Sequence, residues 1–118
     1  MFKIKRIVRS FKNAFRGLIT VFKEEQSFRV QVVAAIVIFC LAAYFSVKMW
    51  EAIILVLVVS FVLVLEVLNS ILERLVDALK PRIHPYVKAI KDMMAATVLL
   101  ASITALVIGF LIFSSYLL

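Results

Sequence analysis

Glu66, Asn69 and Ser70 interrupt the apolar stretch from Ala52 to Leu72, and Glu73 follows it directly. An ionised carboxylate near a bilayer centre costs about 2.5–3.5 kcal/mol on insertion scales, so such groups turn toward a protein interior or a polar cavity. Offsets of three, four and seven residues put Glu66, Asn69 and Glu73 on one helical face, and Asp77 continues that stripe toward the following loop. A graded line of carboxylates running from lipid to water suits a reaction between a lipid headgroup and a soluble, metal-bound reactant. Glu73 and Asp77 lie near the aqueous end, where carboxylate oxygens can hold Mg2+ together with waters and phosphate oxygens. Glu66 lies deeper, where apolar surroundings make a carboxylate a better general base.

A second constellation follows in the loop: Arg82, His84, Lys88, Lys91 and Asp92, with Pro81 and Pro85 restraining the backbone. Lys91 and Asp92 adjoin the third apolar run and are expected to face an electropositive helix end. A cation there can contact phosphate, and the adjacent carboxylate can bond an ATP ribose, a base or another cation. Glu24 and Glu25 stand where the N-terminal segment turns into the first apolar run, beside Phe28 and Arg29. One of the two can face inward and meet Glu73 around a shared metal; spacing leaves the choice between them open.

The elements that must position these groups are membrane helices. The 118 residues are 65% hydrophobic, with a mean hydropathy of +1.13, far above the apolar content of soluble domains. The runs Val30–Val47, Ala52–Leu72 and Met93–Leu118 are each long enough to span a bilayer. Only two glycines, Gly17 and Gly109, occur, so neither a P-loop nor a dinucleotide fingerprint is present. The lone Cys40 leaves no intrachain disulfide.

Ahead of the first run, Ile4, Ile7, Val8, Phe11, Phe15, Leu18, Ile19 and Phe22 recur at helical spacing opposite Lys5, Arg6, Arg9, Lys12, Asn13, Arg16 and Lys23. That pattern predicts an amphipathic surface helix. The expected fold class is all-α integral membrane: one membrane-embedded domain over 1–118, with a surface helix over 1–29 and transmembrane spans over 30–47, 52–72 and 93–118. Of fourteen Lys and Arg, eight precede residue 30 and five lie between Arg74 and Lys91. Three spans place both groups on one side, which the positive-inside rule makes the cytoplasm. The first apolar run begins too far into the chain for a signal peptide. A multi-pass protein of a bacterial cytoplasmic (inner) membrane is expected, with N-terminus and active site cytoplasmic.

Glu66-Val-Leu-Asn69-Ser70-Ile-Leu-Glu73 followed by Val76-Asp77 resembles the prokaryotic diacylglycerol kinase family, integral membrane lipid kinases that include undecaprenol kinases. Lys91-Asp92 before an Ala-rich apolar helix, Glu25-Gln-Ser-Phe28-Arg29 and Gly17 fall in the family's order and spacing, and the likeness covers essentially the whole chain. The resemblance implies a general base at Glu66, metal ligands at Glu25 and Glu73, and nucleotide contacts from Arg6, Asn13, Arg82, His84, Lys91 and Asp92, with Asn69 supporting the reacting groups. It also implies a homotrimer with active sites shared between subunits. This chain departs from the family at three positions. Gln31 stands where Gram-negative members carry a second Glu, Asn13 replaces a common Tyr, and Ile71 replaces a small Ala. The His84-Pro85 segment with Lys88, Lys91 and Asp92 looks more like the undecaprenol-kinase branch.

The function expected is ATP- and Mg2+-dependent phosphorylation of the primary hydroxyl of a membrane lipid alcohol, with no nucleic-acid partner. Diacylglycerol to phosphatidic acid is the leading reaction and undecaprenol to undecaprenyl phosphate the alternative. An intramembrane Glu also marks ion pathways, so a small proton-coupled transporter or channel subunit is the rival of another class. The clustering of ionisable residues toward one end of the spans speaks against a path through the membrane.

Overall fold

In the computed structural model, residues 3–118 are described; Met1 and Phe2 of the N-terminal segment lie outside them. The chain forms four helices: α1 (Ile4–Glu24), α2 (Gln26–Phe45), α3 (Met49–Leu79) and α4 (His84–Leu117). No strand occurs among the described residues. The last three are long and apolar enough to cross a membrane, as the three apolar runs predict. The main packing is α3 against α4, with α2 laid against α3 and α1 touching α2.

The helices outrun the apolar stretches that announce them. α3 has 31 residues, about 46 Å at the standard rise, against a hydrocarbon core of about 30 Å. Its far end therefore carries Glu73 and Asp77 on continuous helix rather than in a loop. α4 begins at His84, with Pro85 in its first turn, where a missing N–H costs nothing. The connection is thus only Lys80–Ile83, and Lys91 and Asp92 sit about two turns inside α4. The expectation that they face the electropositive end of a helix is corrected accordingly.

The break between α1 and α2 is a single residue. Glu25 takes extended backbone angles (φ −112°, ψ 109°) and closes α1 by donating its N–H to the Val21 carbonyl at 2.8 Å. One turn into α2, the Arg29 guanidinium donates to the Phe22 and Lys23 carbonyls at 2.8 and 2.7 Å. These are carbonyls that a helix C-terminus leaves unpaired, and a cation is favoured there. The membrane-directed helix therefore starts at Gln26, earlier than the apolar run beginning at Val30.

At the opposite end, Ser46 adopts a left-handed conformation and α3 opens on a capping box, with the Lys48 N–H donating to Glu51 Oε1 at 3.0 Å. The apolar runs leave Lys48–Glu51 between them as the link, but the turn falls earlier, at Ser46–Lys48. Glu51 is buried and also accepts from the Tyr116 hydroxyl, beside the Phe45 and Phe113 rings. This ties the start of α3 to the end of α4. Tyr116→Phe strips one donor from the Glu51 carboxylate. A lower thermal midpoint in detergent is expected, with kcat unchanged, because Glu66 lies about 22 Å further along α3.

Candidate active site

The polar stripe on α3 meets the first turns of α2. Glu66 is only 3% exposed, and both of its carboxylate oxygens are engaged from α2. Ser27 donates its hydroxyl to Oε1, and the Gln31 amide nitrogen donates to Oε2 at 3.2 Å. One turn further along α3, the buried Ser70 donates to Glu25 Oε1 at 3.0 Å. Glu24 points elsewhere and pairs with Arg74 at 3.1 Å on the surface. Of the two acids left open by spacing, Glu25 is thus the one facing the stripe.

Glu73 is three residues from Ser70 and therefore its neighbour on the helix surface. It accepts from the Asn69 amide at 3.4 Å, which links Asn69 to Glu73 rather than to Glu66. Among the described residues no three His, Cys, Asp or Glu side chains converge to hold a metal ion. Glu25 and Glu73 reach the same stretch of α3, and two carboxylates suit Mg2+, which takes one or two of them and fills its shell with water and phosphate oxygens.

Lys91 reaches across from α4 and donates to Asp77 at 2.9 Å, and Lys80 approaches the same oxygen at 3.6 Å. The hydrogen bond from Lys91 holds the Asp77 carboxyl below its ordinary value of 3.8. A depressed folded-state value means that the pair's contribution is complete above the ordinary value and is lost as pH falls on through the lowered folded-state value. Asp77, raised above as a possible Mg2+ ligand, is an ion-pair partner of Lys91 in this structure. Both partners are substantially exposed, and such pairs contribute little to stability or binding. Asp77→Asn should therefore change the KM for Mg-ATP by less than about fivefold and leave the Mg2+ requirement where it was, as a Mg2+ titration of activity would show.

Asp92 turns to the other side of α4, where Lys88 donates to it at 3.3 Å. Arg6, Asn13, Arg82 and His84 are exposed, and their side chains make no hydrogen bond among the described residues. The fold thus gathers Glu25, Glu66, Asn69 and Glu73, brings Lys91 to the far end of the same stripe, and leaves the other candidates apart in a single chain. Gln31, which bonds Glu66, also lines an apolar groove of about 210 Å³ between α2, α3 and α4, with Ala35, Ile38, Val62 and Ser102 among the other walls.

Residues 12–113 match the family model for prokaryotic diacylglycerol kinase. The chain belongs to this family. The match takes in every candidate residue except Arg6. Three relatives resemble it over nearly their whole length. An undecaprenol kinase of Bacillus subtilis is 30% identical over 94% of this chain and 90% of its own. A diacylglycerol kinase of Escherichia coli K12 is 30% identical over 86% and 84%. A diacylglycerol kinase of Helicobacter pylori 26695 is 34% identical over 98% and 90%.

This kinase is accordingly a lipid kinase, a phosphotransferase acting on an alcohol, and it requires a nucleotide phosphate donor. Membership decides for phosphoryl transfer over the transport alternative. What sequence reasoning missed in the kinase is the role of α2. Gln31 entered only as a departure from the family, and Ser27 only as a member of the Glu25–Arg29 motif with no role of its own. The available signal was their spacing of four, which puts two side-chain donors on one face of the helix that follows Glu25.

Proposed function

We propose that this kinase transfers the terminal phosphoryl group of ATP to the primary hydroxyl of a membrane lipid alcohol, converting diacylglycerol to phosphatidic acid. The observation that carries this reading is a buried carboxylate bonded by Gln31, itself part of the wall of an apolar groove, on a stripe that leads out to further carboxylates and a lysine. A lipid stem fits the groove and leaves its hydroxyl at Glu66. Glu66 takes the hydroxyl proton on a carboxylate oxygen as the phosphoryl group arrives. Glu25 and Glu73 are the residues that would hold Mg2+, with Asn69 orienting Glu73; bound there, the ion neutralises charge on the phosphate oxygens. Lys91 leaves Asp77 to meet charge on the transferring group, and Arg6, Asn13, Arg82, His84 and Asp92 contact the nucleotide. Catalysis of this kind is mainly positioning and electrostatics, so it requires no P-loop.

Several of these groups are far from Glu66 within one chain, and much of the large apolar side-chain surface of α2, α3 and α4 is exposed. A homotrimer, in which a neighbour supplies the missing nucleotide contacts, accounts for both. α1, with Ile4, Phe11, Phe15 and Ile19 exposed along its length, lies in the membrane surface with its cations toward headgroups. The positive-inside rule places that surface, the N-terminus and the site on the cytoplasmic side of a bacterial inner membrane. The whole chain forms one membrane-embedded domain.

Undecaprenol is the second reading, favoured by the likeness to the Bacillus subtilis undecaprenol kinase across 94% of this chain. Diacylglycerol and a polyprenol both present one hydroxyl on an apolar stem. The test is a side-by-side assay of labelled phosphate transfer from ATP to each, with folded protein in lipid micelles and Mg2+. Greater turnover of diacylglycerol is expected. Equal or greater turnover of undecaprenol makes the second reading the correct one, and transfer to neither overturns both.

A further inference from the structure

Glu66 is held by two neutral donors from a different helix, one on each carboxylate oxygen. Ser27 and Gln31 are four residues apart on α2, so they lie one above the other on one face. The terminal torsion of a Glu side chain has a broad, weakly restricted profile. A single hydrogen bond would leave the carboxylate free to turn; two bonds to two oxygens set its plane.

The Gln31 carbonyl oxygen is buried and has no donor among the described residues. A buried unpaired acceptor is disfavoured, so nothing on its own account holds that amide where it is. What the amide gains there is the bond it donates to Glu66. Each carboxylate oxygen has two acceptor sites, and the clamp takes one on each. A site therefore stays available for the proton of an alcohol.

We propose that Ser27 and Gln31 are positioning residues that clamp the Glu66 carboxylate in the orientation required to take the substrate proton. This rests on the lipid kinase reading with Glu66 as base. Neither residue touches the nucleotide in that reading, so both act on turnover and not on Mg-ATP binding. Ser27 is the cleaner of the two to test, because it is exposed at the start of α2 and its loss leaves no core cavity.

The experiment measures kcat and the KM for Mg-ATP with saturating diacylglycerol in mixed micelles, and with undecaprenol in parallel, for wild type, Ser27→Ala, Ser27→Thr and Gln31→Leu. A hydrogen bond to a charged group is among the stronger ones. Ser27→Ala and Gln31→Leu should therefore each lower kcat about tenfold with the KM for Mg-ATP unchanged. Ser27→Thr, which restores a hydroxyl, should recover most of the loss. The same Ser27→Ala change is then made in a Glu66→Gln background, with residual transfer followed by labelled phosphate over long incubations. No further loss is expected there, because the group being positioned no longer accepts a proton.

Unchanged kcat in Ser27→Ala overturns the inference. So does an equal fractional loss in the Glu66→Gln background, which marks a structural role, or a rise in the KM for Mg-ATP that matches the fall in kcat. If wild-type protein phosphorylates neither lipid, the lipid kinase reading fails first; if wild type is active and Ser27→Ala is unaffected, only the clamp fails.

Discussion

Glu66→Gln should lower turnover by about 10²–10⁴, the usual cost of losing a general base, while Mg-ATP binding stays near its wild-type strength. The structure makes this a clean substitution. The Gln carbonyl oxygen can accept from the Gln31 amide in place of Oε2. The new NH2 can donate to Ser27, whose hydroxyl rotates to accept. The side chain therefore keeps its place and its contacts and loses only the capacity to take a proton. Removing a charge that the bilayer disfavours should not impair insertion or assembly. The measurements are kcat at saturating lipid and the Kd of Mg-ATP.

Glu73→Gln should fail in the opposite way. Glu73 lies one turn from the Ser70 contact with Glu25 and is held by Asn69, and in the proposed mechanism it shares a cation with Glu25. Changing a residue that merely supports a metal ligand commonly costs about 10–100-fold in affinity, and losing a ligand should cost no less. The Mg2+ concentration for half-maximal activity should therefore rise at least about tenfold. The KM for ATP should rise with it, and excess Mg2+ should restore part of the activity. The contrast between the two variants carries the assignment. If Glu66→Gln weakens Mg-ATP binding as much as Glu73→Gln does, Glu66 belongs with the metal ligands and is not the base.

Much of this architecture is legible in the sequence because its causes are local. A run of about 20 apolar residues without a charge must be a membrane helix, since lipid offers its backbone no other partner. Glu66, Asn69 and Glu73 at offsets of three, four and seven share a face by the geometry of the helix alone. Their cost in lipid marks them as candidates for function before any partner is known. The family is legible for the same reason: its motif is carried by consecutive turns of one helix, and the match over residues 12–113 bears it out.

Helix boundaries were less legible. Hydropathy reports where lipid begins, and helices need not stop there. α3 continues to Leu79 and α4 starts at His84, because Pro85 fits a first helical turn and the short Lys80–Ile83 connection leaves no room for a loop. The consequence reaches function, since it moves Lys91 from a helix end to a position facing Asp77.

The sequence by itself determined the class of fold, the three spans, the stripe of carboxylates and the kind of reaction they can support. Each follows from composition or from spacing within one element. The tertiary structure decided which of two adjacent acids faces the stripe, what holds Glu66, and what Lys91 meets. Successive residues on a helix point about 100° apart, so the helix break at Glu25 and the rotation of α2 against α3 determine where each side chain goes. Those rotations send Glu25 to Ser70, Glu24 to Arg74, and Ser27 and Gln31 to Glu66. They are set by packing between segments about 40 residues apart, a distance over which neither periodicity nor propensity carries information.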